Sequence, residues 1–374
     1  MANREQLKQA AVGDYIELVY GGGLPERNRK RGKYPVYGSN GVVGYHDQSL
    51  VQGPGIIVGR KGTVGQVTLS KSDFWPIDTT YYVKLKRDGD IFFWFYLLQT
   101  LGLSQMNSHS AVPGLNRDNV YNIVREIPCP AEQRSIAKIL CDLDEKIELN
   151  HQMNKTLEAI GQALFKRWFV DFEFPGHEKT RVVNGVPDGW RKGNLIEISD
   201  LLMGQSPPGD TYNEQGDGVV FYQGNRDFGF RFPTPRVYCT APTRMAEALD
   251  VLISVRAPVG AINITMEKCA IGRGVAALRM KHFSNGFLFY FLSTRSDLWD
   301  RFNSEGTVFG CLNKAEFQKV DLVIPSDAAL KQFDSVIKPI EAMIRKNETE
   351  NRLLVGIRDS LMPKLMSGKI RVNT

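Results

Sequence analysis

The sequence predicts an α+β protein built as a pseudo-twofold tandem repeat, in which each half is an α/β globule followed by a long helix. A stripe of apolar residues at steps of three and four runs from 136 to 168 and recurs from 333 to 365. The segment GLNRDNVYNIVREIPCP at 114–130 matches CLNKAEFQKVDLVIPSD at 311–327, at an offset of 197 residues. Repetition at one fixed offset indicates that both halves share a common frame.

The two globules are predicted from short runs of strand-forming and apolar residues. GIIVGR and TVGQVTL, which are β-branched and punctuated by glycine, are typical of strands, whereas FFWFYLLQTLG and FLFYFLSTRSDLW are typical of buried helices. We assign residues 1–130 and 181–326 to two globular domains. Residues 131–180 form a central helix and spacer, and residues 327–374 form a C-terminal helix.

Asparagines interrupt both apolar stripes at the same offset, and they are Asn150, Asn154, Asn347 and Asn351. An amide in a helix seam costs stability, but it fixes the register when it faces another amide. The exact repeat therefore favours pairing of the two helices over the alternative, in which two separate surface helices point these amides at water. The first helix, about 60 Å long at 1.5 Å per residue, would carry one globule at each end of an antiparallel coiled coil. Pro339 predicts a kink or a late start in the second helix.

The composition is that of an ordinary globular protein. No apolar run approaches the roughly 20 residues that a membrane span needs, and the N-terminal segment lacks the apolar core of a signal peptide, so we expect a cytoplasmic protein without membrane contact. The five cysteines show no CxxC pair or disulfide framework and are expected to be reduced. A formal net charge of +6 fits binding to a polyanion without establishing it.

Several segments together resemble the specificity (S) subunit of type I restriction-modification systems. They are IPCPAEQRSIAKIL, LFKRWFVDFEFP, VPDGW and LMPKLMSGKI, in that order, with an LN segment before each long helix. The resemblance covers nearly the whole chain. It implies two target recognition domains on double-stranded DNA, joined by helices that dock two modification (methyltransferase) subunits, to which restriction subunits would add ATP-dependent cleavage. S-adenosylmethionine, ATP and Mg²⁺ would then belong to the partner subunits.

The resemblance also implies a bipartite DNA target with an unread spacer whose length the helices set. Because the two globules differ so much in sequence, the two half-sites are expected to differ, which makes the target asymmetric. The alternative is a free-standing DNA-binding or scaffolding coiled-coil protein without methyltransferase partners. Such a protein would bind its target tightly as an isolated chain.

No segment has the residues that catalysis would need. Amino-methyltransferases use a (D/N/S)PP(Y/F/W) loop whose aromatic ring stacks on the target base, but the nearest match, SPPGD at 206, has Gly209 in place of that ring. The acidic run CDLDEKIEL favours a salt-bridged helix surface over a metal site. We therefore expect no catalytic residue, cofactor or metal in this chain.

Candidate DNA-contacting residues lie on loops of both globules. Arginine or lysine suits guanine, asparagine or glutamine suits adenine, and basic side chains also suit phosphates; the alternative for each loop is an ordinary solvated turn. Ser110 and Thr307 are included because they precede the LN segments. The candidates are Arg27, Arg29, Lys30, Arg31, Lys33, Tyr37, Ser39, Asn40, Arg60, Lys61, Ser110, Tyr222, Gln223, Asn225, Arg226, Arg231, Arg256 and Thr307.

Apolar residues near the end of the first long helix offer a possible interface for partner subunits. They are Leu164, Phe165, Trp168 and Phe169. Aromatic residues in such positions are more often part of a core. In the second globule, Phe221, Phe228 and Phe230, which flank the DNA-contact candidates at 222–231, are also expected to be core residues.

Overall fold

The structure is a computed structural model that describes residues 8–106, 114–303 and 310–372. The chain forms two compact units. Unit 1 comprises residues 1–149 and 350–374, and unit 2 comprises residues 150–349. The domain boundaries predicted from the sequence, which treat the long helices as separate segments, stay a prediction.

Unit 1 combines small sheets with two short helices and one end of each long helix. The order of its four-stranded antiparallel sheet is β2-β8-β5-β6, a three-stranded sheet has the order β4-β3-β7, and β1 pairs with β9. Its strands are β1 (Lys8–Ala11), β2 (Ile16–Tyr20), β3 (Tyr34–Gly38), β4 (Gly41–His46), β5 (Gly55–Gly59), β6 (Val67–Ser70), β7 (Trp75–Pro76), β8 (Thr80–Leu85) and β9 (Val124–Ile127), and its helices are α1 (Ile91–Gln99), α2 (Arg117–Tyr121) and the first part of α3 (Pro130–Phe165).

Unit 2 repeats this architecture with further short strands. Its strands are β10 (Val182–Val183), β11 (Val186–Pro187), β12 (Arg191–Asn194), β13 (Ser199–Met203), β14 (Tyr212–Asn213), β15 (Val219–Tyr222), β16 (Tyr238–Cys239), β17 (Met245–Ala246), β18 (Val251–Ser254), β19 (Ile262–Ile264), β20 (Cys269–Ile271), β21 (Val275–Met280) and β22 (Asp321–Ile324). Its helices are α4 (Leu195–Ile198), α5 (Gly286–Thr294), α6 (Asp300–Asn303), α7 (Lys314–Gln318) and the first part of α8 (Asp327–Met366).

The strand orders confirm the predicted tandem repeat. The sheet β2-β8-β5-β6 of unit 1 matches β13-β21-β18-β19 of unit 2, and β4-β3-β7 matches the central part of β14-β16-β15-β20-β17. In both units one strand pair of the second sheet is parallel, β3 with β7 and β15 with β20. The pair β1 and β9 likewise corresponds to β12 and β22.

The repeated LN segment has the same structural role in both units. The side chains of Leu115 and Leu312 are buried, and each leucine N–H donates to a main-chain carbonyl oxygen in the turn after β5 or β18, at 3.0 Å in both units. Asn116 and Asn313 are the N-caps of α2 and α7, because each side chain accepts a hydrogen bond from a backbone N–H of the first turn. The segment therefore joins the sheet to a short helix.

The long helices pair within each unit. In unit 1, Arg358 of α8 donates to the Asp144 carboxylate of α3 at 2.7 Å. In unit 2, the rings of Phe165 and Phe333 lie 6.4 Å apart. A π-helical turn over Lys166–Val170 continues α3, so the helix includes the whole apolar stripe that runs to residue 168. Of the two alternatives predicted at Pro339, the late start is wrong, because α8 begins twelve residues before Pro339 and continues through it; the kink stays a prediction.

Each unit has its own apolar core. In unit 1, α1 packs on β5 and β6, and Asp90 caps its N-terminus by accepting from the N–H groups of Phe92 and Phe93. In unit 2, the buried residues of α5 pack with Phe165, Trp168 and Phe333. Within the described residues no helix is both long enough and apolar enough to cross a bilayer.

Candidate nucleic-acid interface

Four segments of unit 1 meet at one edge of the fold. They are the residues after β3, the turn after β5, the residues before β8 and the LN segment, whose Leu115 N–H donates to the Arg60 carbonyl oxygen. The N–H groups of Arg60 and Lys61 donate to the Thr79 carbonyl oxygen at 2.9 and 3.1 Å, and the Ser39 hydroxyl donates to the same oxygen at 2.7 Å. We call residues 38–40, 60–62, 78–79 and 114–115 the loop edge of unit 1.

The corresponding segments of unit 2 meet in the same way. The Val255 N–H donates to the Gly274 carbonyl oxygen at 2.9 Å, and the Gly272 N–H donates to the Tyr222 carbonyl oxygen at 2.8 Å. Arg256 forms an isolated bridge with Cys311, next to the LN segment. The loop edge of unit 2 comprises residues 223–225, 255–257, 272–274 and 311–312.

The two loop edges contain seven of the eighteen candidates that the sequence suggested: Ser39, Asn40, Arg60 and Lys61 in unit 1, and Gln223, Asn225 and Arg256 in unit 2. Tyr37 and Tyr222 occupy equivalent positions, since the carbonyl oxygen of each accepts a hydrogen bond from the residue after the adjacent parallel strand, at 2.9 and 2.8 Å. Asn40 and Asn225 therefore lie three residues beyond matching points. Two separately chosen groups of candidates are thus the same site in two copies.

Both tyrosines correct the sequence prediction. Tyr37 is 8% exposed and Tyr222 is 2% exposed, so neither ring is available to stack on a base. They anchor the ends of β3 and β15 in the core. The residues that follow them, Asn40 and Gln223, are exposed and retain the hydrogen-bonding groups that base recognition requires.

The turn after β5 and its counterpart after β18 present cationic side chains. Lys61 and Arg256, which are 195 residues apart and occupy matching positions, are both exposed. Arg60 is less free, because its guanidinium donates to the Asp78 carbonyl oxygen at 2.8 and 3.2 Å. Gly62 in this turn has a φ of +76°, a left-handed conformation that is unfavourable for residues with a Cβ atom.

An aromatic and cationic cluster beside the loop edge of unit 1 was missed at the sequence level. The Tyr20 ring, 49% exposed, lies 5.1 Å from the Arg60 guanidinium and 4.7 Å from that of Arg117. Burial, followed by a hydrogen bond with Tyr20, raises the pKa of Tyr81 to about 12, so its hydroxyl stays protonated and donates to the Leu115 carbonyl oxygen. Because Arg117 directly follows the LN segment, its position in the sequence could have identified it as a candidate.

In unit 2, sequence reasoning also missed Arg273. It is exposed at the loop edge, and its N–H groups donate to the Ser206 hydroxyl. Arg226 is exposed in the short turn that follows Gln223. Each unit therefore presents amide and cationic side chains at the same edge.

The basic loop before β3 is only partly free. Arg29 donates to the Val43 carbonyl oxygen at 2.7 Å and so ties the loop to β4. The other basic residues of this loop, Arg27, Lys30, Arg31 and Lys33, are exposed. Of the remaining candidates, Ser110 and Thr307 lie outside the described residues.

The structure contradicts the prediction that Arg231 contacts DNA. Its side chain is 1% exposed, and its guanidinium donates to the carboxylates of Glu158 and Glu341 within unit 2. Burial lowers the pKa of Arg231, but the carboxylates of Glu341 and Glu158 outweigh this effect and raise it above its ordinary value. A side chain enclosed in this way does not reach a base.

The predicted partner interface at the end of α3 is also corrected. Phe165, Trp168 and Phe169 are buried in the core of unit 2, where the Phe169 ring lies 4.9 Å from that of Phe333, and Leu164 packs against the same core. Two of the three nearby phenylalanines follow expectation, since Phe221 is buried and Phe228 half-buried. Phe230 does not, because it is 59% exposed.

The asparagines of the long helices are buried as predicted. In unit 2, the Asn347 amide donates to the Asn154 side-chain oxygen at 2.9 Å, and the Asn154 amide donates to the Ile344 carbonyl oxygen at 3.4 Å. Asn150 and Asn351 are buried as well. The opposed amides meet the condition for fixing register, while the role itself stays a prediction.

The repeated units match a known family model. The model of the type I restriction modification DNA specificity domain matches residues 7–159 and again residues 187–354. The chain belongs to this family. Both matches contain a loop edge and part of a long helix, so this member of the family carries two specificity domains.

Relatives of this specificity-domain protein are named as specificity subunits. The putative type I restriction enzyme MjaX specificity subunit of Methanocaldococcus jannaschii is 31% identical over 269 residues, which cover 70% of this chain and 62% of that protein. The chain thus spans less than two thirds of that relative. The type I restriction enzyme HindI specificity subunit of Haemophilus influenzae is 24% identical over 337 residues, covering 69% of this chain and 71% of that protein.

A solved structure has the same fold. The crystal structure of a type I restriction-modification system S subunit from M. genitalium matches with a TM-score of 0.71 over 98% of this chain and 97% of that one, at 18% sequence identity. The specificity-domain fold therefore accounts for both halves of the chain.

Proposed function

We propose that this chain is the DNA-recognition subunit of a type I restriction-modification complex, in which each unit reads one half of an asymmetric, bipartite target. One observation carries the proposal: a member of the specificity-domain family forms the same loop edge twice, with different side chains on the same backbone frame. Gly38, Ser39 and Asn40 of unit 1 correspond to Gln223, Gly224 and Asn225 of unit 2. Different side chains at equivalent points favour different bases.

The long helices support a spacer role. We propose that α3 and α8 form an antiparallel coiled coil that holds the two units apart and sets the length of the unread DNA. Helices of 36 and 40 residues, with the opposed amides of Asn154 and Asn347, favour one register. Removing seven residues from each helix, at a rise of about 1.5 Å per residue, would shorten the coiled coil by about 10 Å. That length corresponds to about three base pairs of DNA at about 3.4 Å each.

The reaction itself belongs to partners in this proposal. Two modification subunits would bring S-adenosylmethionine and restriction subunits would bring ATP and Mg²⁺, while this chain contributes sequence recognition alone. Exposed apolar residues on the long helices offer a docking surface that replaces the buried aromatic residues suggested by the sequence. They are Met153, Ile160, Val336 and Met343 in unit 2, and Leu149, Leu353 and Ile357 in unit 1.

Modified-base mapping of the host genome, with and without this gene, tests the proposed function. Without the gene, methylation should disappear from one split motif whose two halves differ. Removing seven residues from each long helix should shorten the spacer of that motif by about three base pairs. If no motif changes in a host with an active modification subunit, this chain does not direct methylation. A target bound tightly by the isolated chain would then favour the free-standing DNA-binding protein.

The docking surface has a matched test. Ile160→Glu places a charge on the exposed apolar face of α3, whereas Ala159→Glu places the same charge on an exposed position about 100° round the helix. Co-purification with the modification subunit should be lost in the first variant and retained in the second. Equal retention in both would show that this face of α3 is not the docking surface.

A further inference from the structure

Arg231 connects a DNA-facing loop of unit 2 to both long helices. It belongs to residues 223–237, between β15 and β16, which we call the reading loop because its first residues lie at the loop edge. The Arg231 side chain enters the core, donates one N–H group to Glu158 of α3 and another to Glu341 of α8, and lies 3.8 Å above the Phe289 ring. We call Arg231, Glu158 and Glu341 the ion triad.

The remainder of the reading loop is also braced. The backbone of Gly229 exchanges two hydrogen bonds of 3.0 Å with the Asn263 side chain, and the Arg231 carbonyl oxygen accepts from the Ile264 N–H at 2.8 Å. Asp227 accepts from the Arg236 guanidinium at 2.9 Å. The loop is therefore a fixed arm between the loop edge and the helices, whereas most surface loops are mobile.

Stability alone does not account for the ion triad. Two carboxylates surround one guanidinium, and both Arg231 Nε and Glu341 Oε1 are buried without a hydrogen-bond partner among the described residues. Burial raises the pKa of Glu158 above its ordinary value in spite of the opposing charge of Arg231. Well-packed apolar side chains in place of a buried ion cluster are often equally or more stabilising.

The repeat shows that unit 2 obtains this arginine from a different place. Asp144 of unit 1, which lies 197 residues before Glu341, pairs with Arg358 of the facing helix and with the Tyr96 hydroxyl. The position 197 residues before Arg358 is Gly161, where a Cβ would overlap the Tyr290 hydroxyl. The helix in unit 2 therefore lacks the arginine, and the reading loop supplies it.

We propose that Arg231 is a positioning residue, which anchors the reading loop to the helices so that unit 2 discriminates its half-site accurately. This inference rests on the proposed function. The guanidinium is suited to the task because its planar fork holds two carboxylates in fixed directions, which a lysine ammonium does not do. Residues 223–226 are held at a defined distance from the helices by the four residues, 227–230, that lead to Arg231.

Two variants separate positioning from stability. Arg231→Lys keeps the charge and loses the fork, and the triple variant Arg231→Met, Glu158→Met, Glu341→Met removes every buried charge together. The matched control is Asp144→Met with Arg358→Met, which removes the corresponding pair in unit 1. Each is assembled with its modification subunits and tested on the mapped target and on duplexes with a single mismatch in either half.

A mismatched base pair ordinarily lowers binding by on the order of 5- to 150-fold. In both Arg231 variants, we expect the ratio of affinities for matched and mismatched duplexes to fall to about threefold or less at one half-site. At the other half-site the variants should discriminate as well as the wild type. The control should retain discrimination at the half-site that the Arg231 variants lose. Thermal unfolding of the triple variant should match the wild type.

Full discrimination at both half-sites in folded variants would overturn the proposal, as would an equal loss at both. Unfolding of both Arg231 variants at the assay temperature would also overturn it, because the ion triad would then be a stability element. A wild-type complex without preference for any sequence would contradict the proposed function itself. That outcome is distinct, since it appears before any substitution is made.

Discussion

Replacing Asn347 by leucine should destabilise unit 2 more than replacing Asn347 and Asn154 together. In the single variant the Asn154 side-chain oxygen remains buried and loses the donor that lies 2.9 Å away. An unsatisfied buried acceptor costs about 1–3 kcal/mol of unfolding free energy. The double variant leaves neither amide of this pair in need of a partner, and the Ile344 carbonyl oxygen loses only a long contact of 3.4 Å.

The expected coupling follows from a double-mutant cycle. For a unit of this size, 1 kcal/mol corresponds to roughly 2–4 °C in Tm, so Asn347→Leu should lower the Tm by about 2–12 °C. The double variant should recover most of that loss, which gives a coupling energy of about 1–3 kcal/mol. Urea or thermal unfolding of the wild type, both single variants and the double variant measures it.

The reasoning fails if the two single effects add. Additivity would show that the amides do not satisfy each other in solution. A second readout concerns the register: a variant with leucine in place of Asn150, Asn154, Asn347 and Asn351 should methylate targets with more than one spacer length, because no slipped alignment then buries an unpaired amide. An unchanged spacer in a complex that assembles normally would remove the amides from the proposed ruler.

Three further predictions concern the loop edges, acid stability and the core. Lys61→Ala and Arg256→Ala should each weaken DNA binding across all sequences and reduce the slope of log K against log salt by about one, measured by titration at several salt concentrations. The Arg371 guanidinium lowers the pKa of Glu132. The ion pair therefore stabilises unit 1 above the ordinary carboxyl pKa, and this stabilisation is lost as the pH falls through the lowered pKa. Arg371→Ala should lose less stability than the wild type when the pH falls below about 4.5, as measured by urea unfolding. Phe165→Ala should destabilise unit 2 by about 3–5 kcal/mol, measured by thermal unfolding.

Each of these predictions has a contrary outcome. The control for DNA binding is Lys71→Ala, which removes an exposed lysine at the opposite end of the β5–β6 hairpin. If this control weakens binding equally, the loop edge contributes only through the overall positive charge of the protein and is not a specific DNA-binding surface. Identical pH profiles for the wild type and Arg371→Ala would show that the Glu132 pair does not form. Unchanged stability in Phe165→Ala would return that residue to the list of interface candidates.

The repeat could be predicted from the sequence because its evidence is local. Leu115 and Asn116 recur at one offset, and each residue acts within a few positions of itself or on a turn of the same sheet. The buried asparagines were equally predictable, since helical periodicity gives the face on which a side chain lies. Strand order was not predicted, because pairing joins segments that are far apart in the chain.

Arg231 could not be predicted for the same reason. A lone arginine among aromatic residues on a loop usually indicates an exposed cation, and the carboxylates that enclose it are 73 and 110 residues away. Tyr37 was placed at the correct edge but with the wrong exposure, because the alternation of short strands does not show which end lies under the neighbouring sheet. Phe230 failed in the opposite direction, since the braced loop turns its ring outward.

The loop edges are held together mainly by main-chain atoms, and this has an evolutionary consequence. The contacts of Thr79 and Gly274 with the adjacent turns use N–H and carbonyl groups that every residue except proline possesses. Substitutions at exposed positions such as Asn40 or Gln223 therefore leave the frame intact. If the proposed function holds, a lineage acquires a new DNA target through a few point mutations at such positions, without having to rebuild the protein that presents them.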